Sequence, residues 1–141
     1  MHDDNAYAMG GVAGHAGLFS TAQDLHTFAL EILKCYSGEG EFLPQRIVKE
    51  FLQKQNIVRD SSWALGWDTP SPDISTSGHY FSSRSVGHLG FTGVSVWMDL
   101  EREIIVILLT NRIHPTREER GFTKFRPEIH DLIMKELGAS Q

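Results

Sequence analysis

Cysteine is nearly missing from this sequence: Cys35 stands alone among 141 residues, which excludes an internal disulfide and any zinc cluster built on cysteine pairs. Its place on the core side of an amphipathic stretch makes it a buried structural thiol. No run approaches the roughly 20 apolar residues of a membrane span. The opening Met1-His2-Asp3-Asp4-Asn5 has neither the basic start nor the apolar region of a signal peptide, so a soluble chain is expected. Clustered basic residues are absent too. Thirteen Lys and Arg lie scattered against eighteen Asp and Glu, for a formal charge of −5, which leaves no footprint for nucleic acid or an anionic membrane surface. There is no internal repeat and no low-complexity tract.

Reaction centres are equally scarce. The seven histidines include no His-x-x-x-His pair, so neither a metal nor another cofactor is expected. His2-Asp3 and His130-Asp131 match the paired ligands of helical phosphohydrolases, but such sites need further His and Asp on several helices. Surface residues are the better account of both pairs. Gly11, Gly14 and Gly17 suggest a phosphate cradle, yet no Gly-Lys-Ser/Thr follows and no apolar strand leads in. The sequence holds no Gly-x-Ser-x-Gly elbow, no Ser-x-x-Lys and no Tyr-x-Asn or Ser-x-Asn. Ser95, on the same side of a strand as Trp97, reads as a structural hydroxyl.

What is present is enough apolar surface, 40% of residues, for one globular domain. The glycine-rich Gly10–Gly17 stretch reads as a loop. Ser20 or Thr21 then caps a helix, Ser20-Thr21-Ala22-Gln23 having capping-box spacing, with Leu25, Phe28, Ala29, Ile32 and Leu33 on one stripe to about residue 36. Ser37-Gly38-Glu39-Gly40 breaks it. Pro44 opens a second helix whose Ile47, Val48, Phe51 and Leu52 pack on the first. Trp63 to Trp67 reads as a short strand and Thr69 to Arg84 as a long loop. Val94, Val96 and Met98 alternate with Ser95 and Trp97, Asp99-Leu100-Glu101-Arg102 turns the chain, and Ile104 to Leu109 forms an apolar strand expected to be central and buried on both faces. Arg112 to Arg126 reads as irregular. Pro127 starts a last helix with Ile129, Leu132, Ile133 and Leu137 on its buried face and Gly138 at its end.

One stretch asks for a special reason. Gly87-His88-Leu89-Gly90-Phe91-Thr92-Gly93 puts three glycines and a histidine at the start of an apparent strand, where glycine is unfavourable. Either the chain bends or bulges there, or a ligand lies against the backbone.

Three stretches together resemble the C-terminal part of the serine β-lactamase-like hydrolases, the superfamily of class C β-lactamases, penicillin-binding proteins, D-aminopeptidases and esterases. They are Gly10 to Thr21 with Asp24-Leu25; Leu65-Gly66-Trp67; and Gly87 to Gly93 running into Trp97-Met98-Asp99-Leu100-Glu101-Arg102 and Leu109-Thr110-Asn111-Arg112. The resemblance implies acyl transfer through a serine ester, with three motifs: Ser-x-x-Lys, Tyr-x-Asn and, on a strand, Lys-Thr-Gly or His-x-Gly. His88-Leu89-Gly90 matches the third. By that resemblance His88 is the catalytic residue of this part, Gly90 leaves room for an acyl substrate, the Phe91 N–H is an oxyanion-hole donor, and Thr92 and Gly93 complete the binding stretch. Histidine as a residue type is charged only near or below about pH 6.5, so its help would depend on pH where a lysine's would not.

The expected fold is α+β: an antiparallel sheet of about three strands backed by a C-terminal helix, with a helical pair, part of a β-lactamase or transpeptidase-like fold. Residues 1–60 would hold the glycine loop and helical pair, and 61–141 the strands and last helix. The resemblance places the first two motifs in a preceding region. The chain is therefore expected to be the substrate-binding part of a hydrolase acting on a β-lactam, D-amino-acid peptide or ester, inactive alone and able to form a homodimer through an exposed sheet edge. The alternative is a non-catalytic binding module of the same fold.

Overall fold

The computed structural model describes residues 2–72, 75–118 and 121–139. The chain folds in the order α1 (Asp4–Ala8), α2 (Ala22–Ser37), α3 (Gln45–Leu52), β1 (Val86–Leu89), β2 (Ser95–Asp99), β3 (Ile104–Leu108) and α4 (Phe122–Glu136). The strands form one antiparallel sheet of order β1-β2-β3. Against one face lie α2 and α3, where Ala29, Ile32, Leu33, Val48 and Leu52 pack on Val86 and Met98. The other face carries Trp97 and Val106, covered by Phe81 and by Met134 of α4. The α+β reading holds.

The helix that the periodicity marks begins one residue later than Ser20 would place it. Thr21 is the cap: its Oγ1 accepts the Asp24 N–H at 3.1 Å and donates to the Asp24 carboxylate at 2.9 Å. The reciprocal pair is thus Thr21 with Asp24, not Ser20 with Gln23. Gly38, left-handed at φ 93°, ends the helix and returns its N–H to the Lys34 carbonyl. α1 was not expected from the pattern; Asp3 nucleates it by accepting the Ala6 N–H at 2.7 Å.

Three expectations need correction. Trp63 to Trp67 is not a strand: Gly66, at φ 80°, folds the chain so that the Ala64 N–H meets the Trp67 carbonyl at 2.8 Å, and only single bridges join Trp63 to Asp68 and Asp68 to Gly87. The central strand is β2, not the apolar run after it. Ser95, Trp97 and Asp99 face one layer and Met98 the other, all buried, whereas only Val106 of β3 is fully buried. Sheet order decides this, because a strand's burial depends on its neighbours and not on its own hydrophobicity alone.

The third correction concerns α4, which starts five residues before Pro127 and keeps that proline inside. Its buried residues are Arg126, His130 and Met134, at intervals of four, while Leu132 and Leu137 are exposed. His130-Asp131 is accordingly no surface pair. His130 is completely buried, and Asp131 holds the loop before β1 by accepting from the His79 N–H and lying 2.8 Å from its Nδ1.

Gly87 illustrates how β1 is fitted to the sheet. It stands opposite Trp97, and a Cβ there would collide with the indole ring, which is 0% exposed and backed by Phe81. Gly87→Ala is expected to lower stability by about 1–3 kcal/mol through this overpacking, measured by urea denaturation. A variant as stable as the parent would show that the indole can move aside.

Candidate functional site

His88 and the glycines beyond it occupy the end of β1 and the turn into β2. Backbone direction comes first. Gly87 donates its N–H to the Asp68 carbonyl at 2.9 Å and its carbonyl accepts the Asp68 N–H at 2.7 Å, on the side of β1 away from β2. Alternation along a strand then turns the N–H and C=O of Leu89 to that same outer side, past the point where the Asp68 bridge ends. Among the described residues the outer edge is closed at Gly87 and open from Leu89 onward.

The chain reverses immediately after. The Gly90 N–H donates to the Val94 carbonyl and the Gly93 N–H to the Gly90 carbonyl, each at 2.9 Å, so Phe91 and Thr92 form the corner of a reverse turn closed by Gly93 at φ 95°. Gly90 to Gly93 is therefore a turn between two strands and not the beginning of one. Of the two readings left open by the sequence, the structure shows the bend, and it lies beside the open edge. At Gly90 an added Cβ would meet the Val94 side chain, and at Gly93 the Thr110 hydroxyl and the Phe122 ring.

Five sequence-identified positions are thus brought into one short segment. His88 pairs with Val96 in the sheet and stands on the α2 and α3 side, exposed, with its ring edge-on to Trp63 at 6.0 Å. Phe91 is exposed at the tip, and the Phe91 N–H is not engaged by any described residue. Gly90, Thr92 and Gly93 hold the turn's shape.

The residues that fix this turn come from far along the chain. Arg112 donates its N–H to the Thr92 carbonyl at 2.9 Å and its Nε–H to the Phe91 carbonyl at 3.1 Å, and the Thr110 hydroxyl also bonds the Thr92 carbonyl. The guanidiniums of Arg112 and Arg117 lie 5.5 and 5.7 Å from the Phe91 ring centre, within cation–π range. Arg117 in turn grips the Asp4 carboxylate with both terminal nitrogens, at 2.8 and 3.0 Å, and the His2 carbonyl at 2.9 Å. That grip holds the Asp4 carboxyl below its usual range. Sequence reasoning had Arg112 inside a recognised stretch without a role, and missed Trp63, Arg117 and Asp4 as neighbours. No local pattern marks them, because their partners are remote.

The glycine-rich segment contributes structure near the same end. His15 Nε2 lies 3.2 Å from the Asp3 carboxylate that caps α1, and Gly10, Gly11 and Gly17 have positive φ. Among the described residues no group of three or more His, Cys, Asp and Glu is arranged to hold a metal ion, and no helix is long and apolar enough to cross a membrane.

Residues 1–126 match the sequence profile of the family described as Beta-lactamase. A protein of Salmonella gallinarum named as a D-alanyl-D-alanine carboxypeptidase is 32% identical over 119 residues, covering 81% of this chain and 27% of the relative. Its namesake in Salmonella newport is 31% identical with the same coverage. The chain spans about a quarter of the length of these curated relatives. Among solved structures, a beta-lactamase from Mycobacterium bovis superposes with a TM-score of 0.67 at 22% identity, over 83% of this chain and 44% of the other.

Proposed function

Because this chain belongs to the beta-lactamase family, we propose that it is the oxyanion-side, substrate-binding part of a serine hydrolase, with its nucleophile carried by the remainder of a longer domain. The observation that carries this reading is the open outer edge of β1, running from Leu89 to an unengaged Phe91 N–H beside His88. An extended acyl substrate pairs with that edge as an added strand. The relatives' names favour peptides ending in D-alanine as the substrate class.

In the proposed reaction a serine Oγ bonds to the substrate carbonyl carbon while the scissile C–N bond breaks. The hydroxyl proton passes through a base to the leaving amine. Water then cleaves the resulting ester, releasing the acid and restoring the hydroxyl. Negative charge gathers on the carbonyl oxygen at each tetrahedral stage, where the Phe91 N–H donates to it. Arg112, by holding the Phe91 and Thr92 carbonyls, keeps that N–H aimed. In this reading His88 supplies the polar side chain that reaches the substrate or the second-motif hydroxyl.

Intact-protein mass spectrometry after exposure to a fluorophosphonate and a penicillin tests this. A polypeptide extended upstream is expected to gain one covalent adduct, and the 141-residue chain none. An adduct on the short chain would place a nucleophile within it; adducts on neither would favour the binding module.

A further inference from the structure

The opposite end of the sheet holds a second cleft. Ser85 leads into β1 and Leu100 follows β2, so these residues sit across the sheet from the Phe91 turn. With α2 and α3 they enclose a cleft of about 430 Å³, whose walls include Tyr36, Lys49, Leu52, Lys54, Arg84 and Leu100. Its floor is fixed: Leu52, Thr69 and Ser85 are buried.

The charge here runs against that of the molecule. The chain carries −5 overall, yet three cations from three segments, Lys49 of α3, Lys54 beyond it and Arg84 of the loop before β1, meet at one cleft, with no carboxylate among the described residues of its lining. Arg84 is held in place by the Tyr36 hydroxyl, 2.6 Å from Nη2, and reaches Glu101 at 3.9 Å. Lys49 Nζ stands 5.7 Å from the Tyr36 ring centre. Glu101 therefore offsets part of the Arg84 charge, and the two lysines remain as the cleft's excess. A dianion balances that excess, whereas a single carboxylate does not. A guanidinium preset by Tyr36 suits phosphate oxygens, and the Leu52, Leu100 and Tyr36 walls accept an apolar group attached to them.

We propose that this cleft binds a small organic phosphate, at a site separate from the acyl edge of β1 and independent of the reaction read there. Titration of the ¹⁵N-labelled chain with phenyl phosphate is the test, with inorganic phosphate and benzoate as comparison probes. Phenyl phosphate is expected to shift the amides of Ser83, Arg84, Ser85 and Leu100 with Kd of about 1 mM or tighter. Inorganic phosphate should shift the same amides more weakly, benzoate should shift them least, and added salt should weaken all three. In the double variant Lys49→Gln, Lys54→Gln, affinity for phenyl phosphate should fall by ~10-fold or more while the spectrum away from the cleft stays the same. Lys49 is exposed and Lys54 half-exposed, so both changes leave the core intact. Unshifted cleft amides, equal binding of benzoate, or unchanged affinity in the double variant would each overturn the proposal.

Discussion

Replacing Asp99 by alanine is expected to destabilise the fold by about 3–5 kcal/mol, the cost of stripping one partner from a buried charged network, and to lower Tm by roughly 10 °C or more. The carboxylate is 0% exposed. One oxygen accepts the Ser82 hydroxyl at 2.8 Å and the N–H groups of Glu101 and Arg102 at 3.0 and 3.1 Å; the other accepts the Ser82 N–H and Arg102 Nη1, each at 2.9 Å. One side chain thus closes the β2–β3 turn, where Glu103 has φ 56°, and anchors the loop that leads into β1. In the alanine variant three backbone donors lose their acceptor together. Thermal unfolding by circular dichroism measures the loss, and a Tm within two or three degrees of the parent's would refute this account of the turn.

Asp99 also fixes an acid limit. Burial acts to raise its pKa, but the hydrogen bonds from Ser82 and Arg102 outweigh burial and hold the carboxyl below its ordinary value of 3.8. A carboxylate whose folded pKa is depressed contributes stability above the unfolded value and loses it as pH falls through the folded one. The Asp99 contribution is therefore complete above about pH 4 and disappears below it. Asp99→Asn keeps an acceptor for the turn but brings an amide nitrogen against the Ser82 N–H and Arg102. It should fall between parent and alanine variant, without the acid dependence this carboxylate supplies.

His130→Ala should cost about 2–4 kcal/mol, combining a cavity with two orphaned polar groups. The imidazole is 0% exposed, edge-on to Phe81 at 6.0 Å, with Nδ1 2.9 Å from the Thr76 carbonyl and Nε2 3.1 Å from the Ser95 hydroxyl. A carbonyl only accepts, so Nδ1 carries the proton and Nε2 accepts from Ser95. This neutral tautomer links the loop before β1, the central strand and α4 through one ring. Ser95 is buried and pointed at α4 rather than at the open edge.

Protonating that ring would bury a charge near Arg126 and leave Nε2–H facing a hydroxyl that was donating to it. Desolvation, with a smaller contribution from Arg126, accordingly pushes the His130 pKa below its ordinary 6.5. The unfolded chain then binds a proton that the folded chain refuses, so stability is full above about pH 6.5 and declines as pH falls from there through the folded pKa. Urea denaturation from pH 7.5 down to pH 5 should show this decline in the parent. His130→Phe should remove it, though starting from lower stability. A parent curve that is flat across that window would contradict the neutral buried imidazole.

Much of the helical layer is legible in the order of residues. The α2 stripe, the α3 start at Pro44, the Gly38 stop and the turn at Asp99 follow from side-chain periodicity and from caps whose partners lie within a few positions. Local geometry sets such features, so local sequence reveals them. The third-motif stretch was legible as a recognisable string, and its glycines as a bend.

What lay beyond reach shares one physical cause. The buried face of α4 is polar because His130 finds Thr76 and Ser95, 54 and 35 residues away, and the buried carboxylate of Asp99 is tolerated because Ser82 comes to meet it across 17 residues. A hydrophobicity pattern counts these side chains as solvent-facing, since the pattern contains no partners. Likewise β2 is central because β1 and β3 flank it, while the uniformly apolar β3 stands at the end of the sheet. The amino-acid order thus determined α2, α3, the hairpin and the motif by interactions a few residues long. Only the tertiary structure decided which polar groups are buried, which strand edge stays open, and that Arg112 and Arg117 stand over Phe91, because each depends on groups that only folding brings together.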